Sequence, residues 1–372
     1  MKALAIGILH RSVVLGDAIG NDILGSYQLF SRMGFAPEIV CEFPHEAIVG
    51  SHKVNVALEP RRIRDAYDML IYHHSVDWPD GEKILNAYQG PVVAKYHCVT
   101  PPSFFAGYSR RYEEVCQRGR EQTRRLAGSG KVGQWIADSA HNAHELAKVG
   151  VIATMTSVVP PFNRCDHLFR VRHEAVYGEK QSVDLLFVGR RSPNKGHRHL
   201  IRMLSSYVNL YSKQVRLLVV GAADQQLARY SEELLRLADE AGVGGNVEWL
   251  SHISDEEVDG LFRSSHVYVN ASEHEGFCVP IVEAQAVGLP LLTVGTTACA
   301  ETAGPNQIVI SPPGSTEEYD VMAGLVHEIV TNRRLREDLV KAGFRNTYGR
   351  FAGEVIENAF VESLRPILAR FK

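Results

Sequence analysis

Residues 267–294 read VYVNASEHEGFCVPIVEAQAVGLPLLTV. The runs at 267–270 and 291–294 are short, apolar and rich in β-branched side chains, which is typical of buried strands. After the first run a loop leads to Pro280, a residue that suits the first position of a helix. The order strand, loop, helix, strand predicts a βαβ unit, and such units build parallel sheets.

The same alternation of apolar runs and helical patterns extends over most of the chain. The runs 185–188 (LLFV) and 217–220 (LLVV) contain no polar alternation, as expected of central strands covered by helices on both faces. The remaining strand candidates are residues 4–9, 69–72, 92–96 and 307–310. The pattern predicts an α/β protein in which both halves contain a parallel sheet.

A length of 372 residues favours two domains. The alternation stops at residues 159–164 (VPPFNR), where consecutive prolines oppose helix formation. We therefore predict a first domain over residues 1–162, a linker over 163–181 and a second domain over 182–350.

Composition excludes several classes of protein. Forty basic and 43 acidic residues leave a net charge of −3, and 45% of residues are apolar, which favours neither nucleic-acid binding nor disorder. No apolar run reaches the roughly 18 residues of a membrane span, and the start MKALAIGILHR leads into a strand, so we expect a cytoplasmic protein. Six scattered cysteines predict reduced thiols and no metal site.

Two segments combine residues suited to an anionic ligand. Gly276, Phe277 and Cys278 precede the helix that starts near Pro280, so their N–H groups would favour a diphosphate, with Glu275 and Glu283 on either side. In residues 185–196 (LLFVGRRSPNKG), Arg190 and Lys195 follow a strand and would face the same ligand. The alternatives are a carboxylate that complements the helix dipole and ordinary solvated loops.

The pattern E-G-F-x-x-P-x-x-E-A-x-A-x-G-x-P, together with V-G-R-x-x-x-x-K-G upstream, resembles the group 1 glycosyltransferases, also called glycosyltransferase family 4. The resemblance implies the GT-B fold: two facing Rossmann-like domains with parallel sheets, the active site in the cleft, and a C-terminal helix that crosses back to the first domain. Residues 351–372, with an apolar stripe that includes Ile356 and Phe360, would form that helix and extend the first domain.

The resemblance also implies roles for residues. Glu283 would bind the nucleotide ribose and Glu275 the hydroxyls of the donor sugar, while Arg190 and Lys195 would hold the diphosphate. The amides of Gly276, Phe277 and Cys278 would serve the sugar and the diphosphate. Cys278 stands where the family more often has glycine, so its side chain either restricts which donor sugar fits or points away from the ligand. In the other motif, the family pattern does not require a charge at the position of Arg191.

The first half carries weaker signals. Gly16 opens the loop GDAIG before a helix expected from about residue 22, and this loop could reach the donor phosphate. His97 follows the strand at 92–96 in the context Tyr-His-x-x-Thr-Pro-Pro, which in the family contacts the donor sugar. The alternative is that His97 is a structural residue that forms hydrogen bonds. We interpret His73 and His74 as structural residues or as residues on the acceptor side.

The implied reaction is transfer of a sugar from a nucleotide diphosphate sugar to a sugar, lipid-linked or small-molecule acceptor, with retention of the anomeric configuration. Catalysis would use His97, Glu275, Arg190 and Lys195, without a cofactor or a metal ion. Polysaccharide or glycolipid synthesis is the usual setting of the family. Two alternatives stay open: a nucleotide-sugar epimerase of similar fold, and a non-catalytic sugar-binding protein.

Residues 108–131 carry more basic than acidic side chains on a probable helix. Such a segment is usually a solvated helix face. The functional alternative is contact of the segment from Arg110 to Lys131 with an anionic membrane surface, which would make the protein peripheral on the inner membrane face.

Overall fold

The computed structural model of the protein describes residues 3–175, 177 and 182–371. They form two compact units. The first unit contains residues 3–102, 113–163 and 353–371, and the second contains residues 103–112 and the described residues from 164 to 352.

The first unit is built on a seven-stranded parallel sheet. Its strand order is β5-β3-β1-β6-β7-β8-β9, and a separate two-stranded sheet joins β2 to β4. The strands are β1 (Ala5–Leu9), β2 (Ser12–Val13), β3 (Ala36–Val40), β4 (Phe43–Pro44), β5 (Val54–Asn55), β6 (Met69–His74), β7 (Val92–Tyr96), β8 (Gln134–Ala137) and β9 (Thr156–Val158). The helices that follow them in the chain are α1 (Ala18–Arg32), α2 (Glu46–Val49), α3 (Pro60–Ala66), α4 (Pro79–Ala87), α5 (Arg110–Gly128), whose first turn belongs to the second unit, and α6 (Ala140–Lys148).

The second unit repeats this architecture with six parallel strands in the order β12-β11-β10-β13-β14-β15. The strands are β10 (Val183–Val188), β11 (Val215–Val220), β12 (Val247–Leu250), β13 (Val267–Asn270), β14 (Leu291–Val294) and β15 (Ile308–Ile310). The helices are α7 (Cys165–Leu168), α8 (His197–Leu210), α9 (Ala228–Glu240), α10 (Asp255–Ser264), α11 (Val279–Val287), α12 (Cys299–Ala303), α13 (Thr316–Thr331) and α14 (Arg333–Arg350). Both units are therefore α/β with parallel sheets, as predicted.

Strands at the centre of each sheet are buried because helices cover them. In the two runs predicted as such strands, residues 217–220 and 185–187 are buried and Val188 is partly exposed. Every residue of β6, β7, β13 and β14 is buried. The helix α11 is also enclosed: Pro280 is its one residue that is not buried, which explains why its sequence has no polar face.

The last helix, α15 (Gly353–Leu368), packs in the core of the first unit. Ile356, Phe360 and Leu364 are fully or almost fully buried there, and the ring of Phe360 lies 5.9 Å from that of Phe30 in α1. The prediction that the C-terminal helix returns to the first domain is confirmed by these contacts.

One buried ion pair ties three segments of the first unit together. Lys95 Nζ on β7 donates to Asp22 Oδ1 on α1 at 2.6 Å, and both side chains are fully enclosed. The same oxygen accepts the backbone N–H of Phe162 at 2.8 Å. Although burial opposes the charge on Asp22, Lys95 and the neighbouring histidines outweigh it and hold the pKa of this carboxyl well below its usual range.

The division of the chain differs from the predicted domains in three places. Residues 351–352, predicted in the first domain, belong to the second unit, where Phe351 joins the core. Residues 103–112 belong to the second unit, because Tyr108 Oη donates to Glu233 at 2.7 Å and Tyr112 hydrogen-bonds to Asp224. Residues 164–175, expected as linker, are part of the second unit, where the side chains of α7 join the core. Residues 176 and 178–181 of the predicted linker lie outside the described residues.

Substitution of Lys95 by Met is expected to lower the stability of the first unit by about 3–5 kcal/mol, because it leaves Asp22 buried without its cation. Urea unfolding in a Trp249→Phe background measures this, since the buried Trp78 and Trp135 then report on the first unit. The exposed Lys83, which pairs with Asp80, provides the control Lys83→Met. A loss below about 1 kcal/mol for Lys95→Met would contradict a charged, paired Asp22.

Candidate functional site

The two sequence motifs of the second unit meet because their strands are neighbours. β10 and β13 are paired and parallel, so the loops after them leave the sheet at the same edge. Lys195 Nζ in the first loop lies 2.7 Å from Glu275 Oε1 in the second loop. A second contact joins the two loops, because Asn194 Nδ2 donates to the carbonyl of His274 at 3.1 Å.

The close approach of these loops requires glycine at position 196. Gly196 has a φ of +65°, and a Cβ atom there would lie 1.8 Å from the carbonyl oxygen of Ala271. Such a distance is shorter than any non-bonded contact, so a side chain would separate the two loops. The glycine of the K-G pair therefore sets the position of Lys195 against Glu275.

The two neighbouring arginines of the first loop have different environments. Arg190 is exposed, and no described residue forms a hydrogen bond or an ion pair with its side chain. The guanidinium of Arg191 lies 4.8 Å from the ring centre of Trp249 and donates to Ser251 Oγ at 3.0 Å. Arg190 is thus available for a ligand, whereas Arg191 has a structural role.

The loop after β13 ends at the N-terminus of α11. Within the described part of the chain, the N–H groups of Phe277, Cys278 and Val279 donate no backbone hydrogen bond. Unpaired N–H groups at a helix start carry partial positive charge and favour an anion. The predicted helix N-terminus is therefore present, with Pro280 in its first turn.

Cys278 occupies a backbone conformation that favours glycine. Its φ of +73° is in the left-handed region, which accounts for the commoner glycine that the resemblance implies at this position. The thiol is buried in the core of the second unit, where a hydrogen bond with Cys299 and burial raise its pKa well above the usual value. Of the two alternatives for this side chain, the structure favours the one in which it points away from the loop surface.

Glu283 lies on the buried helix α11 and is paired with Arg164. Arg164 Nε donates to Glu283 Oε1 at 3.0 Å, and Arg164 Nη2 lies 3.1 Å from Asp259 Oδ1. Burial raises the pKa of Glu283, and although Arg164 opposes this, the pKa stays above its ordinary value of 4.5. Position 164 was not predicted, since α7 falls within the segment that the prolines mark as a linker.

In the first unit, Gly16 and Asp17 form the turn and the N-cap that precede α1. Gly16 has a φ of +78°, and the Asp17 carboxylate caps the helix by accepting the N–H of Gly20. The helix begins at Ala18, four residues earlier than predicted, so Gly20 lies in the first turn and not in the loop. A capping role explains Asp17 without a catalytic function.

His97 lies in a buried hydrogen-bonded cluster, and its side chain is 4% exposed. His97 Nδ1 is 2.7 Å from Asp138 Oδ2, and His97 Nε2 is 2.9 Å from His73 Nδ1. Burial lowers the pKa of His97, but the carboxylates of Asp138 and Asp22 outweigh burial and raise it above 6.5. Burial lowers the pKa of His73 to about 4, so the proton shared by the two rings belongs mainly to His97.

The same cluster contains the atoms of the first unit best placed for a metal ion. Asp22, His73 and His97 present one ligand atom each within 4.8 Å of the others. Lys95 and the bond between the two imidazoles already stabilise these atoms without an ion. Neither Asp22 nor Asp138 was predicted to belong to the site, because each lies on a different element from His97.

Each unit of the fold is the parallel α/β unit of the GT-B glycosyltransferases. The crystal structure of Anabaena HepE in complex with UDP and glucose has a TM-score of 0.77 and 17% sequence identity to the chain, and the match covers 98% of the chain and all of HepE. No described helix is long and apolar enough to cross a membrane.

Sequence comparison relates the second unit to a known family. Residues 172–346 match the model of the family described as glycosyl transferases group 1. The D-inositol 3-phosphate glycosyltransferase of Nocardia farcinica is 24% identical over 92% of the chain and 74% of its own length. The enzyme of the same name from Mycolicibacterium smegmatis is 32% identical over 78% of the chain and 62% of its own length. The second unit thus resembles the group 1 glycosyltransferases, whose family model matches it over residues 172–346.

Substitution of Arg190 by Ala is expected to lower glycosyl transfer roughly 100-fold and to leave stability unchanged, because no described residue forms a hydrogen bond or an ion pair with this side chain and it would act on ligand charge. Arg191→Ala is the matched control. It should lower stability by about 1–2 kcal/mol, through loss of the Trp249 and Ser251 contacts, with a smaller effect on turnover. Steady-state kinetics and thermal unfolding of both variants measure this, and equal turnover losses would remove Arg190 from the site.

Proposed function

We propose that the protein transfers a sugar from a nucleotide diphosphate sugar to an acceptor, and that the second unit holds the donor. The observation that carries this proposal is the 2.7 Å contact between Lys195 and Glu275. It joins the loop expected to bind the diphosphate to the loop expected to bind the sugar. In a nucleotide diphosphate sugar one bond links the sugar to the diphosphate, so the loop that binds the sugar and the loop that binds the diphosphate must lie next to each other.

The charges of the site suit this ligand. Arg190 and Lys195 supply two cations, which match the charge of a diphosphate, and the start of α11 adds unpaired N–H groups. Glu275 is buried, with 8% of its surface exposed, and its backbone N–H donates to Thr297 Oγ1 at 2.8 Å. A carboxylate held in this way accepts hydroxyl hydrogen bonds, as proposed for the donor sugar.

For His97 the geometry favours a hydrogen-bonding role inside the first unit. Both ring nitrogens are engaged, one with Asp138 and one with His73. Contact with the donor sugar, the role that the resemblance implies, would require the exchange of one of these bonds. We retain His97 as a proposed sugar-contacting residue on the resemblance alone.

Retention of the anomeric configuration is the proposed stereochemical outcome. Inversion needs a general base opposite the leaving group, and His97 has both of its ring nitrogens occupied. A covalent glycosyl intermediate on Glu275 would break its pairing with Lys195. We therefore propose same-face attack, in which the departing phosphate oxygen accepts the proton of the acceptor while Arg190 and Lys195 stabilise the developing charge.

We propose the donor and the biosynthetic setting from the names of related enzymes. The names of relatives include a D-inositol 3-phosphate glycosyltransferase, a capsular polysaccharide biosynthesis glycosyltransferase and a GDP-Man:Man(3)GlcNAc(2)-PP-Dol alpha-1,2-mannosyltransferase. We propose a role in polysaccharide, glycolipid or other glycoconjugate synthesis, with UDP and GDP sugars as the donors to test first. A cytoplasmic location stays a prediction from the sequence.

The contacts of the basic segment from Arg110 to Lys131 support a structural role better than a role in membrane contact. Arg118 pairs with Asp77 at 2.9 Å, Arg120 with Glu145 at 3.2 Å and Arg125 with Glu82 at 2.7 Å. These pairs attach α5 to the first unit. We therefore propose that these three of the segment's seven basic residues hold the helix in place, and that any contact with a membrane surface is peripheral.

A transfer assay tests the function. Purified protein is incubated with UDP-glucose, GDP-mannose and related donors, with and without candidate acceptors, and the products are followed by proton NMR. We expect product only when an acceptor is added, with the anomeric coupling of the donor preserved in the first product. A new sugar formed without an acceptor would favour the epimerase, and an inverted linkage would contradict the proposed mechanism.

The reaction is expected to proceed without a divalent metal, since two side-chain cations and a helix N-terminus already face the proposed diphosphate position. The initial rate in 10-fold excess EDTA over total metal, compared with the rate in added magnesium or manganese, measures this. Loss of activity in EDTA that either metal restores would overturn the prediction, and the Asp22, His73 and His97 group would then be the first site to test.

A further inference from the structure

Arg164 connects the proposed ribose carboxylate to a second acidic residue. It precedes α7, and its side chain reaches Glu283 on α11 at 3.0 Å and Asp259 on α10 at 3.1 Å. Asp259 also pairs with His167 at 2.6 Å, which fixes it against the surface of the unit. The Arg164 side chain is 19% exposed, so its contacts are largely shielded from solvent.

Only one oxygen of Glu283 is used by this pair. Arg164 Nε donates to Oε1, and among the described residues none donates a hydrogen bond to Oε2. A second nitrogen of the guanidinium, Nη2, lies 3.1 Å from Asp259 Oδ1 and so faces a different carboxylate. One carboxylate oxygen is thus left for another partner.

The charge of Glu283 depends on Arg164. Burial raises the pKa of this carboxyl, and Asp259 and Asp255 on α10 add negative charge that raises it further. Two other titratable groups interact with Glu283, Cys165 and Tyr268, and burial raises the pKa of both, so they stay neutral. Arg164 is the cation that opposes these effects.

We propose that Arg164 is a positioning residue for nucleotide recognition, which orients Glu283 and keeps it ionised so that its carboxylate accepts the two ribose hydroxyls. This inference rests on the proposed function, because it assumes that a nucleotide binds at the start of α11. Arg164 itself touches the carboxylate and not the ribose. Its effect should therefore appear as a change in how strongly the protein distinguishes a ribonucleotide from a nucleotide without ribose hydroxyls.

The proposal has a defined pH signature. An ionised Glu283 accepts from both hydroxyls, whereas the protonated form has lost its charge and donates one proton itself. Since removal of Arg164 raises the pKa of Glu283 further, the preference for ribonucleotides should fall at neutral pH and return as the pH rises through the new pKa. In the unaltered protein the same loss should occur at a lower pH, still above the ordinary value of 4.5.

The experiment is isothermal titration calorimetry of the full chain with UDP and GDP and with their 2′,3′-dideoxy counterparts at pH 6, 7, 8 and 9. The variants are Arg164→Gln, which removes the charge, and Arg164→Lys, which keeps it. Arg236→Gln is the control, since Arg236 is an exposed arginine that pairs with Glu240 on α9. The measured quantity is the ratio of the dideoxy to the ribonucleotide dissociation constant.

We expect a ratio of roughly tenfold or more for the unaltered protein and for Arg236→Gln at pH 7. Arg164→Gln should bring the ratio close to one at pH 7, with recovery towards pH 9, and Arg164→Lys should preserve most of it. An unchanged ratio in Arg164→Gln would overturn the proposal, and so would equal losses in the Gln and Lys variants. If Arg164→Gln does not fold, the result for Arg164→Lys is decisive. A ratio of dissociation constants near one in Arg164→Lys at every pH would contradict a role based on charge.

Failure of the proposed function gives a different result. In that case the unaltered protein binds neither UDP nor GDP at any pH, and this inference falls with it. Nucleotide binding with a high ratio that does not depend on residue 164 would overturn the role of Arg164 alone.

Discussion

The polar chemistry of the second unit depends on one constraint, the parallel pairing of β10 with β13. Because both strands point the same way, the loops after them leave the sheet together, and residues 80 positions apart in the chain come into contact. The approach is close enough that position 196 accepts only glycine. Lys195, Glu275 and the start of α11 are then grouped by the sheet itself. Without this strand order the two motifs would be separate loops with no common ligand.

Three buried carboxylates of the chain are each paired with a cation, and the pairs differ in what they allow. Asp22 and Lys95 are fully enclosed, and the pair joins β7, α1 and residue 162, which suits a permanent structural role. In the pairs of Glu275 with Lys195 and of Glu283 with Arg164 the carboxylate is buried but the cation is partly exposed, and each pair lies beside unpaired N–H groups or an unused carboxylate oxygen. A paired carboxylate with bonding capacity left over is suited to a ligand that arrives and leaves.

Predictions from the sequence succeeded where a local pattern carries the physics. The strands follow from apolar β-branched runs, and the helix start near Pro280 follows from the geometry of proline. The separation of Arg190 from Arg191 also appears in the structure, although its cause, the ring of Trp249, could not be read from the motif. Predictions were wrong where the cause is tertiary. Residues 103–112 belong to the second unit because of Glu233 and Asp224, which lie more than 100 residues away.

The sequence by itself determined the class of fold, through its alternation of apolar runs and helical patterns, and the resemblance of its motifs to a known family named the residues expected to act at the donor site. The tertiary structure alone decided which side chains surround them: Arg164 beside Glu283, Asp138 and His73 on either side of His97, and Cys278 turned into the core. The physical reason is that ionisation and orientation depend on burial and on charges within a few ångströms, and those neighbours come from elements that are distant in the chain.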